Sequence, residues 1–323
     1  MPVRPSLASL LACIVVVLAC GAPALAQPYP ARPIKIVVPF GPGGSSDIAA
    51  RSLGRYIEEQ GKQPVVIENK PGAGGIIGSE AVKSAPADGY TLLLATNSTH
   101  AAAQALYKKL SYDPVTDFEH IGLICTFGSV LLVPPNSPFK TLPELIAYAK
   151  ANPGKLFFGH FNTSSQIPGE LLRAMGNLPV TSVPYKSITN ALPDLMGGQI
   201  QFMFMDYVAA AAHMEGGKLL PLAVTEARRA PRWSNVPAVA ETYPGYEVLA
   251  FLALAAPART PRDVVLKLNG YVRDALAASP MREQMEKLAC GTRPYSPEEY
   301  KAFFLQEKGR WEKYVKAAGI EPQ

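Results

Sequence analysis

Residues 34–51 read IKIVVPFGPGGSSDIAAR, and this stretch decides the fold class. A short apolar run, Ile34, Ile36, Val37 and Val38, stops at Pro39, passes through Gly41-Pro42-Gly43-Gly44 and opens a helical pattern. Ser45, Ser46 and Asp47 carry the side-chain oxygens that helix starts prefer, because the first turn leaves backbone N–H groups without partners. Glycine lets the backbone approach a ligand closely, and the helix start offers donors and the positive end of its dipole to an anion. Strand, turn and helix start together make a candidate anion pocket; a plain strand–helix connection is the competing reading. No Gly-Lys-Ser/Thr follows the turn and its spacing is not GxGxxG, which removes phosphate-loop and dinucleotide roles.

The same unit recurs along the chain. Strand-like runs at 64–68, 90–95, 130–133, 156–159, 200–205, 219–224 and 248–255 alternate with helical patterns. Those patterns fall at 48–60, 75–84, 142–151, 168–175, 191–196, 261–278 and 297–317. Such alternation predicts an α/β fold. Runs 130–133 and 248–255 each lead into a proline-containing turn and then a capped helix, as strands crossing between two lobes would. The division then reads 27–128 plus 247–323 for lobe 1 and 129–246 for lobe 2, a clam-shell with two hinge crossings. Trp311 and Tyr314 read as packing residues of the last helix.

Residues 1–26 have the form of a secretory signal: Arg4, an apolar core at 7–18, and Ala24-Leu25-Ala26 before Gln27. The core is short for a membrane span. Residues 17–20 also resemble a lipoprotein processing box that would leave Cys20 acylated, but the complete signal pattern favours cleavage after Ala26. The mature chain, about 297 residues, is expected to be exported, hence periplasmic, and soluble. It keeps Cys125 and Cys290, and the sequence leaves open whether they pair or remain separate buried thiols. Without a CxxC or a Cys/His cluster, no metal or other cofactor is expected. The chain has 31 Lys+Arg against 26 Asp+Glu with no dense basic block, which argues against nucleic-acid binding.

Further candidate site residues follow other strands. Asn69 to Gly75 forms a second glycine turn. Thr96 and Asn97 close the third strand, where ligands of open α/β sheets sit. The run 159–166, GHFNTSSQ, supplies Phe161 beside Asn162, Thr163 and Ser164, the latter three neutral hydrogen-bonding groups suited to orient a carboxylate. Tyr185 and Lys186 offer a phenol and an ammonium. Asp206 ends an apolar run and suits accepting a hydrogen bond. Turn and cap roles are the bland alternative for each. The four histidines show no HExxH and no serine lies in GxSxG, so catalysis has weak support; a triad assembled in space is the alternative.

In order along the chain stand Tyr29-Pro30, Arg32-Pro33-Ile34, Val38-Pro39-Phe40, Gly43-Gly44, Asp47 and Arg51. Then come Glu68-Asn69, Pro71-Gly72-Ala73-Gly74, Asp88-Gly89-Tyr90-Thr91, Val183-Pro184-Tyr185-Lys186 and Gly197-Gly198-Gln199, and finally Leu222-Ala223-Val224-Thr225, Arg228 and Val236-Pro237. This set resembles the periplasmic receptors of tripartite tricarboxylate transporters, also called Bug-type receptors, over essentially the whole mature chain. The resemblance implies a type II periplasmic-binding-protein fold that closes around a small organic acid and serves membrane transporter subunits, with a monomer expected. It implies a site of Phe40, Gly43, Gly44, Ser45, Asp47, Thr96 and Asn97 on one lobe. Thr163, Ser164, Tyr185, Lys186 and Asp206 face it from the other, beside Phe161 and Asn162. Where such receptors carry His-Leu-x-Gly-Glu this chain has Gln166-Ile167-Pro168-Gly169-Glu170, and Ser187 stands where glycine usually follows Tyr-Lys. Those departures fall on the selecting side, where Phe161 suits an aromatic or less charged acid. An exported α/β hydrolase and a periplasmic ligand sensor are the alternatives.

Overall fold

Apolar residues at four of five positions make β1 (Ile34–Val38) a strand buried on both faces, with only Lys35 exposed. This pattern belongs to the interior of a parallel sheet. The computed structural model describes residues 29–322, Leu288 excepted, and the signal-like segment 1–26 with Cys20 lies outside the described residues. β1 pairs in parallel with β2 (Val65–Asn69) and β3 (Thr91–Thr96). Two further strands, β4 (Phe118–Phe127) and β10 (Ala250–Pro257), complete the order β2-β1-β3-β10-β4, with β10 antiparallel to both neighbours.

The second sheet repeats that plan. It contains β5 (Ser129–Val133), β6 (Leu156–His160), β7 (Val180–Pro184), β8 (Phe202–Asp206) and β9 (Leu220–Val224) in the order β7-β6-β8-β5-β9. β6 runs parallel to β7 and β8, and β5 is antiparallel to β8 and β9. Each sheet thus has a parallel triplet and one antiparallel strand, β5 or β10, that the chain adds after leaving the other sheet. Successive residues of a strand point to opposite faces. Accordingly Ile34, Ile36 and Val38 join one apolar layer, and Val37, Leu93 and Ala95 join the other.

Helices coat both sheets and make two lobes. The first lobe has α1 (Ser45–Gly61), α2 (Ile76–Lys83), the single turn α3 (Ala103–Leu106), α8 (Arg262–Ala277), α9 (Ser279–Lys287) and α10 (Pro297–Ala317). The second has α4 (Leu142–Ala151), α5 (Thr163–Gly176), α6 (Ile188–Met196) and α7 (Tyr207–Glu215). α1 buries Ala49, Ala50, Leu53 and Ile57, the spacing of one helical face. α10 buries Tyr300, Phe304, Trp311 and Val315 in the same way, so Trp311 is a core residue. No described helix is long and apolar enough to cross a membrane.

The chain passes from sheet to sheet at Gly128, the single residue between β4 and β5, and returns between β9 and β10. Run 130–133 therefore lies wholly in the second sheet. Thr225 stitches the passages together. Its hydroxyl accepts from Ser129 N–H at 2.7 Å and donates to Val248 C=O at 2.8 Å. Its backbone N–H donates to Ser129 C=O and its C=O accepts from Val248 N–H, both at 2.9 Å. A Cβ on Gly128 would come within 2.3 Å of the Glu226 carboxylate, so a side chain there would displace that carboxylate.

Several elements differ from the sequence pattern. The helix expected at 168–175 begins earlier, at Thr163, with Pro168 inside it. Proline has no N–H to bond the Ser164 carbonyl, and the Ser129 hydroxyl donates to that carbonyl instead, at 3.3 Å. The pattern also misses β4, β7, α3, α7 and α9. β4 runs into β5 across one glycine, and α7 starts on Asp206 without a loop, so no turn signal separates them.

Cys125 of β4 and Cys290 are joined in a disulfide, Cα atoms 5.4 Å apart, across a sequence separation of 165 residues. By chain entropy a loop of that length stabilises by about 5 kcal/mol, the upper end of the observed range. Removing both thiols (C125S/C290S) is expected to lower unfolding free energy by about 2–5 kcal/mol. Denaturant melts of variant and parent check this, and equal midpoints would contradict it.

His100 and His120 sit ring to ring, centroids 6.1 Å apart, with Phe304 stacked on His120 at 4.7 Å. Burial keeps both neutral. It holds His100 well below the usual histidine range, and His120 at about 4, where the Lys301 charge adds to it. The unfolded chain binds these protons first, so stability is full above about pH 6.5 and is lost as pH falls toward 4. His120 alone accounts for about 3 kcal/mol of that loss. His120→Phe is expected to flatten the melting-temperature profile between pH 6.5 and 4, and an unchanged slope would contradict the assignment.

Candidate functional site

The carboxyl ends of the parallel strands face one another across the lobes. At the β1–α1 turn, the Ser45 hydroxyl donates to Asp206 Oδ2 at the end of β8, 3.2 Å away. At the end of β3, Asn97 Nδ2 donates to Thr163 Oγ1 at 2.7 Å and Ser164 Oγ at 3.2 Å, both on the first turn of α5 after β6. The Ser98 and Thr163 hydroxyls also share a hydrogen bond. β1 and β6 are the middle strands of their triplets, so the two contacts are counterparts. Each joins the turn after a middle strand to the end of an outer strand in the opposite lobe.

Asp47 shapes the glycine turn from within. Its Oδ2 accepts from Gly43 N–H and Arg51 Nε, each at 3.0 Å, and its Oδ1 from Asn69 Nδ2 at 3.0 Å. Asn69 Nδ2 also donates to Phe40 C=O at 3.1 Å. Burial pushes the Asp47 carboxyl up, but hydrogen bonds from Arg51, Gly43 and Asn69 outweigh it and leave it below the ordinary aspartate range. The carboxylate thus faces its own loop and the guanidinium of Arg51. Gly43 takes φ +85°, which favours glycine.

Gly44 opens α1 in an extended conformation with no side-chain cap. Three other starts are capped: Asn162 accepts from Ser165 N–H, Asp206 from Ala209 N–H, and Thr96 exchanges bonds with Thr99; α2 after Gly75 and α6 after Ser187 have no side-chain cap either. A Cβ on Gly41, Gly43 or Gly44 would meet no atom within 4 Å, so this turn presents bare backbone to open space. Unpaired first-turn donors beside such a turn form an anion site.

Beside the interlobe hydrogen bonds lies a cavity of about 240 Å³. Of the sequence candidates it gathers Phe161, Asn162, Thr163 and Tyr185. Phe40, Gly43, Gly44, Ser45, Asp47, Thr96, Asn97, Ser164, Lys186 and Asp206 are not among its lining residues. Lys186 is exposed. Tyr185 donates its hydroxyl to Asp194 at 2.8 Å, and burial together with that carboxylate pushes the phenol up to about 12. Burial lowers His160, opposed by the Glu170 charge.

Three lining residues from the first lobe, Leu106, Tyr107 and Ile320, escape sequence reasoning. Tyr107 follows a four-residue helix and Ile320 follows the last helix, positions without any motif. The end of α10 reaches the second lobe, where Arg173 Nη2 donates to Ala318 C=O at 3.3 Å. Among the described residues, the histidine hydrogen bond to a hydroxyl is that of His100 with Thr99, 3.1 Å, inside the first lobe's aromatic core.

Asp47→Ala is expected to cost about 1–3 kcal/mol, because it leaves the donors of Gly43 and Asn69 unpaired; urea melts measure it. Because the folded carboxyl lies below its unfolded value of about 3.9, its contribution is full above that pH and is lost as pH falls through the folded value. Asp47→Asn is expected to remove that part of the acid dependence, and an unaltered acid limb would refute the assignment.

The profile of the tripartite tricarboxylate transporter family receptor matches residues 49–320 of this chain. A protein from the tcbD-tcbE intergenic region of Pseudomonas sp. (strain P51) is 37% identical over 292 residues, covering 89% of this chain and 86% of that protein. Among solved structures, R. palustris Rpa4515 with adipate is 34% identical with a TM-score of 0.88, covering 91% of this chain and 100% of that one. The periplasmic binding protein BugD is 33% identical with a TM-score of 0.85, over 91% and 100% of the two chains.

Proposed function

This chain belongs to the tripartite tricarboxylate transporter receptor family, and from that premise we propose that it captures a small organic carboxylate between its lobes and delivers it to a membrane transporter. The carrying observation is the uncapped start of α1 with its bare glycine turn, set opposite helix starts of the other lobe. The structural relative with adipate holds a carboxylic acid, which supports the same ligand chemistry here. On this reading the backbone N–H groups of Gly44 and Ser45 anchor a carboxylate, Phe40, Gly43 and Asp47 shape the anchor, with the Gly43 N–H held by Asp47, and Thr96 and Asn97 close the first lobe's side. Thr163, Ser164, Tyr185, Lys186 and Asp206 form the second lobe's side with Phe161 and Asn162.

The lobes divide at 27–128 plus 247–323 and 129–246, a reading supported by the single glycine between β4 and β5. The protein works as a periplasmic monomer freed by cleavage after Ala26, and without catalysis. Ligand stabilises the closed form by touching both lobes, and the membrane partner reads that closed shape. Selective binding to the folded form raises apparent stability by RT ln(1 + [L]/Kd), about 2.7 kcal/mol at one hundred times Kd. A thermal-shift screen of mono-, di- and tricarboxylates is expected to show such a rise for at least one acid. Asn97→Ala is expected to weaken that acid's binding tenfold or more. Silence across the screen, or steady turnover of ester substrates by the purified protein, would sink this function.

A further inference from the structure

We infer that the ligand is an acid with one carboxylate and a flat, uncharged ring, the ring held in the interlobe cavity among Tyr107, Phe161 and Tyr185. This rests on the carboxylate-receptor reading above and goes further by naming the ligand's body. The cavity draws aromatic side chains from both lobes: Tyr107 from the first, His160, Phe161 and Tyr185 from the second, with Leu106 and Ile320 as apolar wall. No Asp, Glu, Lys or Arg lines it. Cations near the cleft stand outside this lining. Arg51 is paired with Asp47, Arg173 with Glu170 and the Ala318 carbonyl, and Lys186 is exposed outside the lining. The carboxylate of Asp206 stands at the other interlobe contact.

A single carboxylate has its partners in the first-turn N–H groups at the uncapped start of α1. A second or third would meet the neutral hydrogen-bonding groups Ser98, Asn162, Thr163 and Gln166 but no countercharge, so it would lose hydration and gain no ion pair. A ring meets the reverse conditions. It removes apolar area from water and takes up edge-to-face or offset contacts with the lining rings. The second glycine turn reaches from the first turn toward the cavity. A Cβ on Gly75 would lie 3.4 Å from the Phe40 ring, and its neighbour Gly74 faces the cavity. At about 30 Å³ per water the cavity has the volume of about eight waters, the scale of one six-membered ring with a short substituent.

Titration calorimetry of the mature protein with benzoate, adipate and citrate tests this. Benzoate is expected to bind at least tenfold more tightly than either of the others. Phe161→Leu, which keeps an apolar side chain, is expected to weaken benzoate at least fivefold while the melting temperature without ligand stays within a few degrees. Adipate or citrate binding as tightly as benzoate would overturn the ring assignment and leave the carboxylate receptor standing. Benzoate binding unchanged in Phe161→Leu would likewise overturn it. Absence of binding by every acid would remove both readings.

Discussion

The side chain of Thr225 holds the two passages between the sheets in one place. Its hydroxyl accepts from Ser129 and donates to Val248, while its backbone bonds the same two residues. Four hydrogen bonds through one threonine fix where the chain leaves the first sheet and where it returns. Everything on the cleft side depends on that. β5 enters the second sheet antiparallel next to β8, and β10 enters the first beside β3. These pairings set the strand ends face to face. A relative rotation of the lobes must pivot near Gly128, against which the Glu226 carboxylate is packed.

The shared strand plan makes the interface two-sided. Ser45 with Asp206 and Asn97 with Thr163 are the same contact seen from opposite lobes. Helix starts bring positive dipole ends to both, but the three at the ends of β3, β6 and β8 are satisfied by their own side chains. The start of α1 at the Ser45–Asp206 contact is left bare, with Asp47 turned away into Arg51, Asn69 and Gly43. The carboxylate of Asp47 is thereby neutralised from behind, so it braces the loop without repelling what binds in front.

Much of this was legible in the sequence, for reasons that particular residues make plain. Alternation of apolar runs with helical patterns marked β1, β3, β8 and β10, because strands buried on both faces must be apolar throughout. Thr141 announced α4, whose first turn it caps. Glycine turns flagged the strand ends. β4 stayed hidden because it carries His120 and Gly122 and meets β5 without a turn. Pro168 suggested a helix start, yet Ser129, distant in sequence, satisfies the carbonyl that a proline normally leaves idle. At the site, residues on strand ends were readable by local rules. Tyr107 and Ile320 were not, since their place in the cavity wall follows only from how the lobes meet.

The bond between Cys125 and Cys290 has a topological consequence. One cysteine precedes the first passage and the other follows the second, so every residue of the second lobe lies on a covalent ring. A protease that cuts an exposed loop such as 152–155 opens that ring without producing two molecules. Both fragments stay tied at the first lobe, close to where the passages are stitched. A nicked receptor of this kind keeps its mass until it is reduced, and its second lobe can come apart and re-form without its ends drifting away.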